Sequence, residues 1–426
     1  MSQLATLAAN AGQAGTTRDL LQIHCRFTVY SLLIHRQEGI FKTVPAPSGP
    51  SAAYDRLDLT AYKREAIQDM AVAVIGCGAL GSEAARLLGL LGLGSVLLID
   101  HDVVEATNLT HNPYFRSASA LGRPKAEVLI ENLAPHFAAT SWVPLSSEIA
   151  DIGFQRLQSC ALLFSCTDNL LARVESSYAA SRLELPMIDA GLKGHAFWSG
   201  RVAWLPGGSA ACYLCQLGEA KRAELLSLSF AASHSCFAHL SDDPILPSTP
   251  TMASIVAGLQ VDLGLRLAMA APVVDACAWE LSLPLPETRW SSFTIPRSAD
   301  CPWHEPDLSL DLLPLPMDVP LNESLLEVSA GSLSQPPILE LDWPVCVEAR
   351  CAACQHLWNP MLRVGVLRRR GACPRCGSSH LHSVRTLSRL ACGDSFAVFT
   401  PRHLGLPSDH LFTLRRAGHT ATLRRS

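Results

Sequence analysis

AVAVIGCGALGSEAARLLGLLGLGSVLLIDHDVVEATNLTHNPYF, residues 71–115, reads as a strand, a glycine turn, a helix and a second strand that ends in an Asp-X-Asp pair. The apolar run Val72, Ala73, Val74, Ile75 needs cover on both faces, as the strands of a parallel sheet have. Gly76 follows at once, where a side chain would obstruct an approaching phosphate. Gly78 lets backbone come close to a ligand, and Gly81 lets the next helix lie against the strand. That helix, expected from about Leu80 to Leu91, aims its free N–H groups at the turn. The strand Ser95–Ile99 then delivers Asp100 at its carboxyl end, where an acceptor for a ribose hydroxyl belongs. These residues alone indicate a nucleotide pocket and leave NAD, FAD and ATP open. LLFSCTDNLLARVESSYAA, residues 162–180, adds Asp168 after another apolar run, where a carboxylate can reach a metal-bound phosphate. The pair of stretches favours ATP chemistry over hydride transfer.

The material after Asp100 separates the cofactors. IDHDVVEATNLTHN, GRPKAEVL with Lys125, SCTDNLLAR with Asp168 and Arg173, and PTMASIVAGLQVDLGLRL from Pro250 occur in that order. Over about residues 71–304 the chain resembles the ThiF/MoeB/E1 superfamily, whose members adenylate the C-terminal glycine of ubiquitin-like proteins. The resemblance implies a Rossmann-like, doubly wound, mainly parallel α/β sheet. It also implies roles. Gly76, Gly78 and Gly81 cradle the nucleotide, Asp100 holds the ribose, and Asp102 sits at the nucleotide edge or near the metal. Asn108 orients the phosphate side, although an asparagine there can equally close a turn. Lys125 neutralises the triphosphate as a point charge, with a solvated helix lysine as the alternative. Asp168, next to Asn169, binds Mg²⁺. One departure stands out: His111 occupies a position where the family usually has arginine, and a neutral imidazole supplies less charge to a phosphate. Arg116 and Arg123 are the nearby candidates to compensate; Arg56 and Arg64 are candidates for the second arginine that family members often bring from the segment before the first strand, with an ordinary surface arginine as the alternative for each.

Beyond adenylation the family divides. Some members hand the adenylate to sulfur chemistry; E1-type members capture it on a cysteine. Cys236 lies in SFAASHSCFAHLSDDPILPSTPT, a polar, proline-containing stretch that reads as a loop, with His234 and His239 nearby to favour a thiolate; a metal ligand shared with those histidines and an inert loop thiol are the alternatives. The leading expectation is therefore an E1-like enzyme that adenylates a ubiquitin-like protein with ATP and Mg²⁺, forms a thioester on Cys236 and delivers it to an E2-like protein. A sulfur-carrier adenylyltransferase and a noncatalytic nucleotide-binding scaffold are the alternatives. Chain size, the loop cysteine and the C-terminal extension are similar to bacterial E1-like proteins of ubiquitin-like conjugation systems, antiphage ones included. The family also implies a homodimer.

The chain has 15 cysteines and no charged-then-apolar leader, so metal ligation is a better default than disulfides. Cys351, Cys354, Cys373 and Cys376 form two C-X-X-C pairs with the spacing of a zinc ribbon. Cys212 and Cys215 in CYLC, with Cys301 and His304 in CPWH, can close a second tetrahedron around Zn²⁺. Family members commonly bind zinc with two cysteine pairs in those positions, which makes His304 a replacement for the usual fourth cysteine. Arg368, Arg369 and Arg370 read as a solvated basic β-turn rather than a nucleic-acid contact.

A net charge of −4 offers no general attraction to nucleic acid or anionic membrane, and no uninterrupted apolar run reaches spanning length. A soluble, cytoplasmic protein is expected. Residues 1–50 read as an N-terminal segment and linker, 51–306 as the adenylation domain, 307–344 as a linker and 345–426 as a zinc-ribbon C-terminal domain. Within PTMASIVAGLQVDLGLRL, Thr251 is the expected cap, and Ile255, Leu259, Leu263 and Leu267 are the expected apolar stripe.

Overall fold

In the computed structural model, Ala71–Ile75 (β1) is buried from Val72 onward, and its side chains alternate between two apolar layers. The structure describes residues 20–22, 31–33, 62–192, 198–229, 249–270, 274–283, 287–304, 312–329, 338–408, 410–416 and 419–420. The chain divides into two units, Met1–Asp55 and Arg56–Ser426. In the first, Leu20–Gln22 pairs antiparallel with Ser31–Leu33.

The second unit is built on eight strands: β1, β2 (Ser95–Ile99), β3 (Ser141–Leu145), β4 (Leu162–Ser165), β5 (Met187–Leu192), β6 (Ser199–Leu205), β7 (Cys277–Ser282) and β8 (Arg289–Thr294). They lie in the order β3-β2-β1-β4-β5-β6-β7-β8, parallel from β3 to β5 and antiparallel from there to β8. Val72, Val74, Val96, Leu98, Leu162 and Phe164 meet α1 (Ala79–Leu91), α2 (Lys125–Leu133) and α5 (Pro250–Ala268) on one face. Ala73, Ile75, Ile99 and Leu163 meet α3 (Leu170–Arg182) and α4 (Glu219–Ser229) on the other. The α/β sheet expected from the apolar runs is therefore present. Its strand order reverses direction between β1 and β4, and such a reversal opens a crevice at the carboxyl ends of the strands.

Helix α5 corrects two local expectations. Its cap is Thr249, whose Oγ1 accepts from Met252 N at 3.3 Å, with Pro250 rather than Thr251 opening the helix. Of the expected stripe, Leu263 and Leu267 are buried and Leu259 packs partly buried on the core, while Ile255 is 41% exposed; the buried face also takes in Met252, Val256, Ala257, Gln260, Val261 and Gly264. The helix is wedged between α1 and the sheet, so a broader face than one stripe is buried, with Gly264 at the closest approach to the strands. By length and composition α5 could cross a membrane, but its buried side chains belong to the core.

The segment expected as a linker at 307–344 contains ordered elements: β9 (Leu312–Pro314), α6 (Leu321–Ser329) and the start of β10 (Ile338–Cys351). Apolar residues such as Leu321, Leu325, Leu339 and Leu341 join one buried cluster with Phe412 and Leu414, which is why this stretch folds with the C-terminal module. Strand β10 pairs with β11 (Leu357–Trp358), β12 (Leu362–Arg363), β13 (Leu381–Ala391) and β14 (Leu411–Arg416). Arg368, Arg369 and Arg370 end a helix, α7 (Val364–Arg370), and not a β-turn.

Candidate functional site

The crevice between the ends of β1 and β4 is shaped by backbone contacts. Gly76 adopts φ +93°, and a Cβ there would stand 2.8 Å from the Cys166 carbonyl oxygen. The two strand ends thus touch at a point only glycine can occupy. A Cβ on Gly81 would overlap the Gly76 carbonyl, so α1 closes directly on the turn. Gly78 caps α1 without a side-chain hydrogen bond, and nothing lies within 4 Å of where its Cβ would be. The first turn of α1 thus has no side-chain cap on its N–H groups, an arrangement suited to an anion.

Around this turn the carboxylates are already organised. Asp100 is buried; its Oδ2 accepts from Cys77 N at 2.6 Å and its Oδ1 from Asp102 N at 2.8 Å. Burial raises its pKa, opposed by those N–H groups and by Lys125. Lys125 Nζ donates to Asp102 Oδ2 at 2.8 Å. Burial works against the ammonium, yet the Asp102 hydrogen bond and the charges of Asp100, Asp102 and Asp168 hold its pKa above the usual range. Lys125 is thus a fixed cation facing three acids, not a solvated helix residue. Asn108 Oδ1 accepts from Glu105 N at 2.9 Å, so its carboxamide closes a turn in this state. His101 Nε2 lies 3.1 Å from Asp102 Oδ1, and the ligand atoms of Asp100, His101 and Asp102 all lie within 4.8 Å of one another.

Asp168 is exposed on the loop after β4, and Asn169 Oδ1 caps α3 by accepting from Ala172 N at 2.7 Å. Arg173, which the motif placed beside these residues, is turned inward. Its Nη1 donates to both Asp189 oxygens, at 2.7 and 2.6 Å, and its Nη2 to the Thr167 carbonyl at 2.6 Å. It supports the loop from below. Arg123 pairs with Glu131 on the surface. Arg64 sits in the short helix Arg64–Gln68, and Arg116 is exposed. The side chain of His111 and all of Arg56, His234, Cys236 and His239 lie outside the described residues. Burial pushes the thiols of Cys160, Cys166 and Cys277 up to about 12 and that of Cys77 well above its ordinary value, so none of these four is poised as a nucleophile.

Two further clusters have ligand chemistry. In each of Cys212, Cys215, Cys301, His304 and Cys351, Cys354, Cys373, Cys376 the ligand atoms lie within 4.8 Å of one another. Tetrahedral bonds to Zn²⁺ imply sulfur separations of about 3.8 Å. Cys212 Sγ is 3.8 Å from Cys215 Sγ and 3.6 Å from Cys301 Sγ, and Cys215 Sγ is 3.2 Å from His304 Nε2. In the C-terminal set, Cys351 and Cys376 are 3.5 Å apart and Cys354 and Cys373 are 3.6 Å apart. Both sets fit the ion. The Cys354 N–H draws the Cys351 thiol down to about 6.

A polar cluster missed in the sequence joins the C-terminal module to α3. Asp342 Oδ1 accepts from Tyr178 Oη at 2.6 Å and lies 3.0 Å from Arg182 Nε, while Oδ2 is 2.9 Å from His410 Nε2. The β10–β13 register shifts between Glu340 and Val345, freeing this part of β10 to turn toward the sheet domain. Phe154 packs edge-on to Trp343 at 5.3 Å. Arg363 pairs with Asp151 and donates to the Ala150 carbonyl.

The ThiF family profile matches residues 54–303. Ubiquitin-like modifier-activating enzyme 5 of Drosophila virilis is 28% identical over 215 residues, 47% of this chain and 51% of that protein. Its Arabidopsis thaliana counterpart is 27% identical over 219 residues, 47% of this chain and 48% of that protein. The chain thus spans about half the length of these curated relatives. The crystal structure of E. coli MccB superposes with a TM-score of 0.45 at 19% identity, covering 60% of this chain and 73% of MccB. With its glycine turn, acidic strand ends and strand order all in the matched region, the chain belongs to the ThiF family.

Proposed function

We propose that this chain is an E1-like activating enzyme that joins the C-terminal glycine carboxylate of a ubiquitin-like protein to AMP. The supporting observation is the meeting of the Gly76 turn, the Lys125–Asp102 pair and the Asp168 loop at the β1/β4 crevice. In the reaction the substrate carboxylate attacks the α-phosphorus of ATP. A new acyl–phosphate bond forms, the bond to the bridging oxygen breaks, and pyrophosphate departs with its electron pair. The N-terminus of α1 and Lys125 hold the phosphates and spread their charge. Asp168, with Asp102 at the edge, would hold Mg²⁺, which supplies Lewis-acid stabilisation of the leaving pyrophosphate. Asp100 serves the ribose while bracing the turn. Zn²⁺ in the two four-ligand clusters has a structural role. A homodimer in the cytoplasm, and service in a bacterial antiphage conjugation system, extend the reading from the family resemblance.

After adenylation, the Cys236 thiolate would displace AMP to give a thioester, which an E2-like protein then takes. Cys236→Ala should leave carrier-dependent exchange of labelled pyrophosphate into ATP intact and abolish a thiol-sensitive conjugate on nonreducing gels. A conjugate surviving in the variant would move the nucleophile elsewhere. No conjugate in the wild-type chain, with exchange intact, would favour delivery to sulfur chemistry, and absence of exchange would favour a scaffold.

For zinc, metal analysis of the purified chain should find two ions, one per cluster, and Cys351→Ser should remove one of them. Unchanged zinc content in that variant would refute the C-terminal assignment.

A further inference from the structure

Gln260 is a fully buried amide in the otherwise apolar middle of α5. All its hydrogen-bonding groups are used. Nε2 donates to the Ser165 carbonyl at 2.9 Å and the Ile188 carbonyl at 3.0 Å, and Oε1 accepts from Cys166 Sγ at 3.2 Å. Those partners are the last residue of β4, a residue of β5 and the first residue of the loop that carries Asp168. The same loop is tied elsewhere: Cys166 N donates to the Ile75 carbonyl at 2.8 Å, Arg173 binds the Thr167 carbonyl, and Asn169 caps α3. Cys166 also presents its carbonyl oxygen to the Gly76 turn. Asp168 therefore projects from a segment pinned on both sides, with its own side chain exposed.

We propose that Gln260 is a positioning residue of the nucleotide site, which sets Asp168 relative to the Gly76 turn by holding Ser165 and Cys166 from beneath. The proposal rests on the reading of this crevice as the Mg²⁺–ATP site. A buried amide could be kept simply to satisfy two carbonyls, and a coupling measurement separates that role from positioning. Should Gln260 act through Asp168, its removal matters only while Asp168 is present.

The test is calorimetric titration of the full chain with ATP, in magnesium and in EDTA, for wild type, Gln260→Met, Asp168→Asn and the double variant. Gln260→Met should weaken magnesium-dependent binding about 10-fold, as loss of a support beneath a metal ligand commonly does, and leave binding in EDTA unchanged. In the Asp168→Asn background it should have no further effect. Equal weakening in EDTA, or additive losses, would overturn the proposal and leave Gln260 as a fold-supporting residue. Gln260→Asn keeps the amide one methylene short; it serves if the methionine variant does not fold, and a wild-type magnesium response in it would overturn the proposal too. A wild-type chain that gains nothing from magnesium would overturn the Asp168 reading and this proposal together. A gain lost in Asp168→Asn but kept in Gln260→Met would overturn this proposal alone.

Discussion

Asp168→Ala is expected to lower carrier-dependent pyrophosphate exchange by about 10²–10³-fold, the scale of losing one preorganised charge-stabilising group. The side chain is exposed and sits at the end of a pinned loop, so its removal should cost little stability. The thermal midpoint should therefore stay near that of the wild type while exchange collapses. Full exchange in the variant would refute the metal assignment. Asp102 would then be the better candidate, because it stands in the same cation-competent group as Asp100 and His101.

Asp342→Ala should destabilise the chain by about 3–5 kcal/mol, the range found when one partner of a buried ion pair is removed. The carboxylate is fully enclosed, and its loss leaves the buried Arg182 guanidinium without that countercharge. Burial raises the Asp342 pKa, but Arg182 and the hydrogen bonds from His410 and Tyr178 outweigh it and hold the group down to about 2. Because the folded value is depressed, the stabilisation is complete above the unfolded value of about 4 and disappears as pH falls toward 2. Chemical denaturation at pH 7 should show a large gap between wild type and variant, and at pH 3 a smaller one. Equal midpoints at pH 7 would mean that the cluster does not couple the module to α3.

The crevice was legible as a set of positions. Gly76 and Asp100 are marked by standing immediately after apolar runs and Asp168 a few residues after one, and a strand that ends in a parallel sheet must release its next residues at the ligand-binding edge. Lys125 was harder to read, since a lysine opening a helix is usually solvated; only its contact with Asp102 shows it held among acids. Arg173 carries no role in the sequence beyond standing in the SCTDNLLAR match, and the structure turns it onto Asp189. The leucine spacing of α5 found part of the buried face, Leu263 and Leu267, and failed at Ile255 for a physical reason. Periodicity reports one stripe, whereas a helix covered on two sides buries more than that.

What the sequence determined by itself is therefore local: continuous apolar runs that require cover on both faces, glycines where no Cβ fits, and cysteine pairs spaced for a tetrahedron. What only the tertiary structure decided are the pairings across long chain separations. Gln260 meets Ser165 at a distance of 95 residues, and Asp342 meets Tyr178 at 164. A buried polar side chain must find a partner, but nothing in its own neighbourhood of sequence says which, because the partner is selected by how the helices pack onto the sheet.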